Sequence, residues 1–306
     1  MTNFKGFASV VLAATMVSTL SAETHCPGNV ASLPLSPVNG HLFIMDVSIN
    51  HSGPYKFLLD TGTQFTILDS SLASELHLPN QGAADVAGSG FHVSASLTTL
   101  DRMEAGSHAV PNLDVFVDDL ERLPSIDLQV RGIVGEDFLA HFDMLIDNAH
   151  AMLCLDDTGI MRGNVRGPHV ELLEPAQAGG RSRLPRSLIV AARISHAGRP
   201  VRLKLDSGSN AVILYDASQF MALGSFQGAS LHGAGGDGVQ RKFAALPPQD
   251  VKIGPLEMDK VPLLTPTGSD MNPQGAEIDG LMATSRFRRI FVAHADHFAI
   301  LEPWWG

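Results

Sequence analysis

Two short motifs in the chain carry carboxylates that could work together in acid–base chemistry. Asp-Thr-Gly occupies residues 60–62, Asp-Ser-Gly occupies residues 206–208, and each motif closes an apolar run. Two carboxyl groups held close together do not both ionise easily, so the pair shares a proton and serves as acid and base towards one water. In isolation either tripeptide is an ordinary turn, because Asp caps its own backbone and Gly accepts a positive φ.

The segments that surround the two motifs repeat each other. Three segments of the first half recur in the same order in the second half. PYKFLLDTGTQFTILD from Pro54 recurs as PVRLKLDSGSNAVILYD from Pro200, and RGIVGEDFL from Arg131 recurs as the weaker DGLMATSRF from Asp279. DNAHAMLCLD from Asp147 recurs as HADHFAILEP from His294. Such an internal repeat indicates two matching structural units. The two Asp residues are therefore interpreted as halves of one site.

Short strands separated by Gly- and Pro-containing turns must position these motifs. Residues 41–68 contain the strand-like runs LFIMDVSI, KFLLD and FTIL. Helical patterns are short and cover residues 70–78, 136–142 and 284–291. The sequence therefore predicts a mainly β protein. Residues 162–187 are rich in Gly, Pro and Arg without a sustained period, which favours a connection between two lobes.

These motifs resemble one lobe of an aspartic peptidase, repeated in tandem. The shared features are a strand that ends in apolar-apolar-Asp-[Thr/Ser]-Gly-[Thr/Ser], a Gly-containing hairpin, and an apolar-apolar-Gly near a short helix. The short tandem lobes are more similar to retropepsin-like bacterial aspartyl proteases than to the larger pepsins. The resemblance implies two homologous acid-protease-type β-barrel lobes, residues 23–161 and 188–306, with short helices, a cleft between the lobes and no cofactor or metal.

The resemblance also implies the catalytic residues. Asp60 and Asp206 would face each other across the lobe interface and hold the water that attacks the substrate. One carboxylate would take a proton from that water while the other donates to the scissile carbonyl oxygen. Gly62 and Gly208 would let the backbone come close, because a Cβ would obstruct the tight turn.

Four hydroxyl side chains of the two motifs are expected to support the site. By the resemblance, Thr61 and Ser207 brace the two loops against each other. Thr63 and Ser209 are expected to donate hydrogen bonds to the outer carboxylate oxygens.

The apolar-apolar-Gly motif is complete in the first lobe only. Gly135 ends the motif that packs behind the loop of Asp60, whereas Ala283 stands at the matching position behind Asp206. The additional methyl group is either absorbed by a small backbone shift or distorts the second loop.

A hairpin that covers the substrate is expected in each lobe. The candidate residues are Gly88, Ser89 and Gly90 in the first lobe, and Gly235 and Gly236 in the second. Residues 233–238 also satisfy Gly-x-Gly-x-x-Gly, but dinucleotide binding requires a helix after the glycines, and Pro247-Pro248 disfavours one.

Composition restricts the setting of the protein. Lys5, the apolar stretch that follows it and the small pair Ser21-Ala22 predict a cleaved secretory signal over residues 1–22, with an N-terminal membrane anchor as the alternative. After cleavage no stable membrane insertion is expected, and the protein would be exported to a periplasm or secreted. The two cysteines, Cys26 and Cys154, form either one disulfide or two buried thiols. The net charge of −11 argues against a nucleic-acid partner.

The leading hypothesis is an exported, single-chain aspartic endopeptidase that binds an extended peptide or protein substrate between its lobes. A non-catalytic exported peptide-binding protein that retains the fold is the alternative, motivated by Ala283. We expect a monomer. In a homodimer, the first lobe would pair with the first lobe of another chain.

Overall fold

The computed structural model describes residues 26–88, 91–120, 130–174, 187–216, 218, 231–234, 240–267 and 278–304. The predicted signal peptide at residues 1–22 lies outside the described residues, as do four of the predicted hairpin residues: Ser89, Gly90, Gly235 and Gly236.

Strands dominate both halves of the chain, as the short apolar runs between turn residues predict. In the first half the strands are β1 (Ser32–Pro34), β2 (Ser36–Val38), β3 (Leu42–Ile49), β4 (Ser52–Leu59), β5 (Ile67–Asp69), β6 (Ala83–Gly88), β7 (Phe91–Ala105), β8 (His108–Asp118), β9 (Val130–Val134), β10 (Asp143–Asp147) and β11 (Met152–Asp156). The helices are α1 (Ser70–Glu75), α2 (Glu136–Leu139) and α3 (Ile160–Asn164), with a 3-10 turn at Pro27–Asn29.

The second half repeats the order of the barrel strands. Its strands are β12 (Val170–Glu171), β13 (Ile189–Ile194), β14 (Val201–Asp206), β15 (Val212–Leu214), β16 (Leu231–Ala234), β17 (Gln240–Ile253), β18 (Leu256–Pro266), β19 (Gly280–Ala283), β20 (Phe287–Ala293) and β21 (Phe298–Pro303). A 3-10 turn at Thr284–Arg286 stands where α2 lies in the first half.

Each half forms a closed barrel with the same strand order. In the first half β3, β4, β9, β5, β8 and β7 pair in turn, and β3 also pairs with β7. In the second half β13, β14, β19, β15, β18 and β17 do the same, closed by the pairing of β13 with β17. The predicted mainly β fold with two acid-protease-type lobes is therefore confirmed, and the sequence repeat is a structural repeat.

A six-stranded sheet joins the two halves, in the order β1-β11-β10-β20-β21-β12. Its central pair is antiparallel and comes from different halves, with Met144 opposite Val292 and Ile146 opposite Ile290. β12 belongs to this sheet although it lies within the predicted linker 162–187, of which residues 175–186 are outside the described part. One apolar core runs through both lobes and includes the fully buried Phe138.

The predicted helix over residues 284–291 is wrong beyond its first turn. Only Thr284–Arg286 is helical, and Phe287–Ala293 forms β20. The reason is tertiary, because β20 is hydrogen-bonded between β10 and β21 and most of its residues are buried. Partners on both sides outweigh a weak local helix preference.

Cys26 and Cys154 form a disulfide with an S–S distance of 2.02 Å, which links the start of the described chain to β11. Of the two arrangements that the sequence left open, the structure contains the bonded one. None of the helices in the described ranges is long and apolar enough to cross a membrane.

Candidate active site

Two equivalent parallel strand pairs deliver the Asp motifs to the same place in each barrel. In the first lobe β4 pairs with β9, with Leu59 opposite Val134, and the N–H of Asp60 donates to the Val134 carbonyl at 3.1 Å. In the second lobe β14 pairs with β19, with Asp206 opposite Ala283. Each Asp therefore leaves the carboxyl end of a central barrel strand and enters a tight loop.

The glycine of each loop makes room for the carboxyl group of the other. A Cβ placed on Gly62 would lie 2.5 Å from Cγ of Asp206, and one placed on Gly208 would lie 2.7 Å from Cγ of Asp60. Any side chain at either position would overlap the opposite carboxyl group. The two predicted half-sites therefore meet, each Asp lying against the backbone of the opposite loop.

The two carboxyl groups are held in equivalent ways, although the two residues differ in exposure. Gly62 N–H donates to Asp60 Oδ1 at 2.7 Å, and Gly208 N–H donates to Asp206 Oδ1 at 2.8 Å. The residue Asp206 is 7% exposed, whereas Asp60 is partly exposed. Burial favours the neutral form of a carboxyl group, so the environment of Asp206 favours holding a proton.

The pKa values of both carboxyl groups are raised. For Asp60 the cause is burial, opposed in part by the Gly62 N–H, the charge of Lys204 and a hydrogen bond with Asp206. For Asp206 burial is again the largest cause, and the charge of Asp60 adds to it, which raises the pKa to about 8 despite the opposing charge of Lys204. Because the groups titrate as a pair, one proton is retained by the pair up to about this pH.

Four reciprocal hydrogen bonds lock the loops together. Thr61 N–H donates to Ser207 Oγ at 3.0 Å, and Ser207 N–H donates to Thr61 Oγ1 at 3.1 Å. The hydroxyl of Thr61 donates to the Leu205 carbonyl and that of Ser207 to the Leu59 carbonyl, both at 2.9 Å. Both side chains are buried. The arrangement is the bracing expected of these two hydroxyls.

The expectation for Thr63 and Ser209 is wrong. The Thr63 hydroxyl donates to the Phe65 carbonyl at 3.3 Å, and the Ser209 hydroxyl donates to the Ala211 carbonyl at 3.0 Å. Ser and Thr hydroxyls readily bond to backbone groups two residues away. These side chains therefore stabilise the turns that follow the Asp residues, and the Gly N–H groups hold the carboxylates instead.

The second lobe accommodates Ala283 where the first lobe has Gly135. A Cβ on Gly135 would lie 2.5 Å from the carbonyl carbon of Phe65, so the first lobe has no space for a side chain there. Ala283 occupies the matching position and is fully buried. The N–H of Gly208 nevertheless donates to Asp206, just as the N–H of Gly62 donates to Asp60. The additional methyl group has not broken the second loop.

A hydrogen-bonded network that the sequence did not reveal explains this difference. In the first lobe Thr66 Oγ1 accepts from Gly135 N–H at 3.2 Å and donates to Asp137 Oδ1 at 2.7 Å, which draws the loop onto α2. Burial raises the pKa of Asp137 to about 6. The second lobe has Val212 and Ser285 at the matching positions. Valine cannot form these bonds, so nothing of this kind pulls the second loop against its neighbour.

Sequence reasoning also missed Lys204, which is buried beside the two carboxyl groups. It lies two residues before Asp206 on β14, and its Nζ donates to the carbonyl of Gly62 at 2.7 Å. The signal was present in the repeat, since Lys204 interrupts an apolar run that is uninterrupted in the first copy.

Hairpins flank the sites of the predicted flaps. In the first lobe β6 and β7 pair up to Gly88, opposite Phe91. In the second, β16 and β17 pair up to Ala234, opposite Gln240. Strand β17 begins at Gln240, after the glycine-rich segment, where dinucleotide binding would require a helix. Within the described ranges, no cluster of three or more His, Cys, Asp or Glu side chains is placed to hold a metal ion.

Two barrels with reciprocally packed Asp loops define an aspartic-peptidase type of architecture. Residues 45–138 match a family model described as "Aspartyl protease", which together with this architecture confirms the predicted resemblance to retropepsin-like aspartic peptidases. Among solved structures, the chain is similar to a retropepsin-like aspartic protease from Rickettsia conorii, with 20% identity, a TM-score of 0.31, and coverage of 41% of this chain and 90% of that one. No curated protein matches the chain significantly.

Proposed function

We propose that the protein is an exported aspartic endopeptidase in which Asp60 and Asp206 together activate one water for attack on a peptide bond. The single observation that carries the proposal is the reciprocal packing of the two carboxyl groups, each against the glycine of the opposite loop. The family match over residues 45–138 supports an aspartic protease independently.

The unequal environments suggest how the two carboxyl groups divide the work. The more exposed Asp60 starts ionised and takes a proton from the attacking water, while the buried Asp206 starts protonated and donates to the scissile carbonyl oxygen. The water oxygen bonds to the carbonyl carbon and gives a tetrahedral intermediate. A proton then passes from Asp60 to the amine nitrogen as the C–N bond breaks, and the proton on Asp206 is restored from the intermediate. General acid–base catalysis of this kind contributes roughly 10²–10⁴-fold in rate.

The raised pKa values extend this mechanism towards neutral pH. The donor must be protonated, and the pKa of Asp206 is about 8 through burial and the charge of Asp60. Activity should therefore persist at neutral pH and decline as the pH rises through about 8. On the acid side it should decline where Asp60 also becomes protonated.

Two further observations bear on assembly and export. The reciprocal bonds of Thr61 with Ser207 are made within one chain, which favours a monomeric site over one built from two first lobes. A disulfide between Cys26 and Cys154 suits an oxidising compartment outside the cytosol. Export is tested by fractionating the producing cells and sequencing the N-terminus of the protein, which should begin after Ala22.

Peptide cleavage tests the proposed activity. The purified protein is incubated with a diverse peptide pool from acid to alkaline pH, beside Asp60→Asn and Asp206→Asn, and products are identified by mass spectrometry. We expect cleavage by the wild type alone. Peptide binding without cleavage at any pH would instead identify a non-catalytic binding protein, and activity retained by Asp206→Asn would indicate a site shared between two first lobes.

A further inference from the structure

Lys204 is a buried cation at the centre of the molecule. Its residue is 6% exposed, and it lies on β14 two positions before Asp206. Its Nζ reaches across the lobe interface and donates to the carbonyl of Gly62 at 2.7 Å. Lysine is almost never this buried unless its charge is compensated.

The first lobe has no counterpart to this residue. In the second lobe, Lys204 on β14 lies opposite Leu281 on β19. At the matching place in the first lobe, Leu58 on β4 lies opposite Ile133 on β9. Leu58 is buried in an apolar cluster with its opposite residue. The fold therefore accepts a hydrocarbon at this position, and the ammonium group is not required to form the barrel.

The partner of Lys204 touches both carboxyl groups of the site. The N–H of Gly62 donates to Asp60 Oδ1 at 2.7 Å. The carboxyl group of Asp206 occupies the space beside the Cα of Gly62 that a side chain would need. Lys204 fixes the carbonyl of that same glycine. Burial is the largest influence on both carboxyl groups and raises both pKa values. The positive charge of Lys204 acts in the opposite direction and lowers the pKa of each Asp.

Other charged groups near β14 are turned to other partners. β19 carries no titratable side chain, and Arg193 of the neighbouring β13 lies beyond the segment that pairs with β14 and faces β17. Other charged residues described around these elements bond elsewhere: Asp279 with Arg199, Arg202 with the carbonyl of Glu174, Glu136 with His294, and Asp137 with Thr66. Among the residues that the structure describes, Lys204 is thus the cation whose charge lowers the pKa of both Asp residues.

We propose that Lys204 is a positioning residue of the active site, which holds the Gly62 carbonyl and supplies the positive charge that sets the pH range over which the two Asp residues share one proton. The inference rests on the proposed peptidase function for its kinetic consequence. Its electrostatic consequence can be measured whether or not the protein cleaves peptides.

The kinetic test compares Lys204→Leu with Lys204→Arg. The leucine variant copies the residue found in the first lobe, and the arginine variant retains a positive charge. Removing a nearby cation disfavours carboxylate ionisation, so both limbs of the pH profile of kcat/KM should move to higher pH in Lys204→Leu, by roughly 1 unit. Lys204→Arg should keep both limbs near their wild-type positions. The control is Lys56→Leu, because Lys56 is an exposed lysine on β4 that pairs with Asp46 at 2.6 Å.

The second readout is a titration of the Asp carboxyl carbons by ¹³C NMR in the wild type and the same variants. The apparent pKa values of the pair should rise in Lys204→Leu and not in Lys56→Leu. If the wild type cleaves nothing, the proposed function fails while this titration still tests Lys204. If Lys204→Leu does not fold, as judged by circular dichroism, Lys204→Met replaces it.

Three results would overturn the inference. A uniform loss of activity in Lys204→Leu with unmoved pH limbs would reduce Lys204 to a structural role. An equal shift in Lys56→Leu would reveal an effect of net charge alone. Unchanged carboxyl titrations in Lys204→Leu would show that the ammonium group does not act on the pair.

Discussion

Replacing Thr61 by Val should remove hydrogen bonds between the two lobes while keeping the shape of the side chain. The substitution exchanges the hydroxyl for a methyl group of similar size. It removes the donor to the Leu205 carbonyl at 2.9 Å and the acceptor for the Ser207 N–H at 3.1 Å. Both partners are buried and would remain without those hydrogen bonds.

The magnitude follows from these two bonds. A hydrogen bond contributes about 1 kcal/mol net, and a buried polar group left unsatisfied costs about 1–3 kcal/mol. We therefore expect Thr61→Val to lower the free energy of unfolding by about 2–5 kcal/mol. Thr63→Val is the matched control, because the Thr63 hydroxyl makes one bond of 3.3 Å at a partly exposed position. The control should lose less than about 1 kcal/mol.

Urea unfolding followed by far-UV circular dichroism, with the disulfide intact, measures both variants. Thr61→Val should exceed its control by at least about 2 kcal/mol, and its kcat should fall because the loops that carry the two Asp residues lose their brace. Equal destabilisation by the two variants would refute the reasoning. It would mean that the cross-lobe bonds add nothing to what an ordinary turn hydroxyl contributes.

Three other outcomes are expected. Gly135→Ala should destabilise by about 1–3 kcal/mol and reduce activity, because its Cβ would overlap Phe65, whereas Ala283→Gly should cost at most about 1 kcal/mol; equal urea midpoint shifts would contradict this. Burial, the largest single influence, lowers the pKa of His294, but the hydrogen bond and charge of Glu136, the Phe142 carbonyl and the charge of Asp143 together raise it above its usual value. The stability that His294→Gln removes should therefore be greatest below about pH 6.5 and decrease as pH rises through the raised pKa; a pH-independent loss would contradict this. Reducing the disulfide, which spans 128 residues, should lower the free energy of unfolding by about 5 kcal/mol, and an unchanged urea midpoint would contradict its role.

The sequence predicted those parts of the site that depend on short motifs and on their repetition. Asp60, Asp206 and their glycines were identifiable because backbone proximity leaves no alternative residue. The repeat could not correct the helix predicted over residues 284–291, since its alignment places the start of this segment opposite α2 of the first half.

Other parts depend on contacts between distant residues and were not predictable. The bond between Thr66 and Asp137 joins positions 71 residues apart, and it belongs to the network that holds Gly135 in the first lobe. The hydroxyl of Thr63 had a local carbonyl within reach, a choice that motif resemblance does not reveal. The repeat marks Lys204 as an interruption of an apolar run, but not what it binds, because its acceptor belongs to the other lobe.

The central claim is that Asp60 and Asp206 form one catalytic unit within one chain. The most direct measurement is kcat/KM on a single cleaved peptide for Asp60→Asn, Asp206→Asn and the double variant. Residues that act as a unit are strongly non-additive, so each single variant should lose about 10³-fold or more and the double variant should lose no more than either. Substantial activity in either single variant, or losses that multiply in the double variant, would contradict the account.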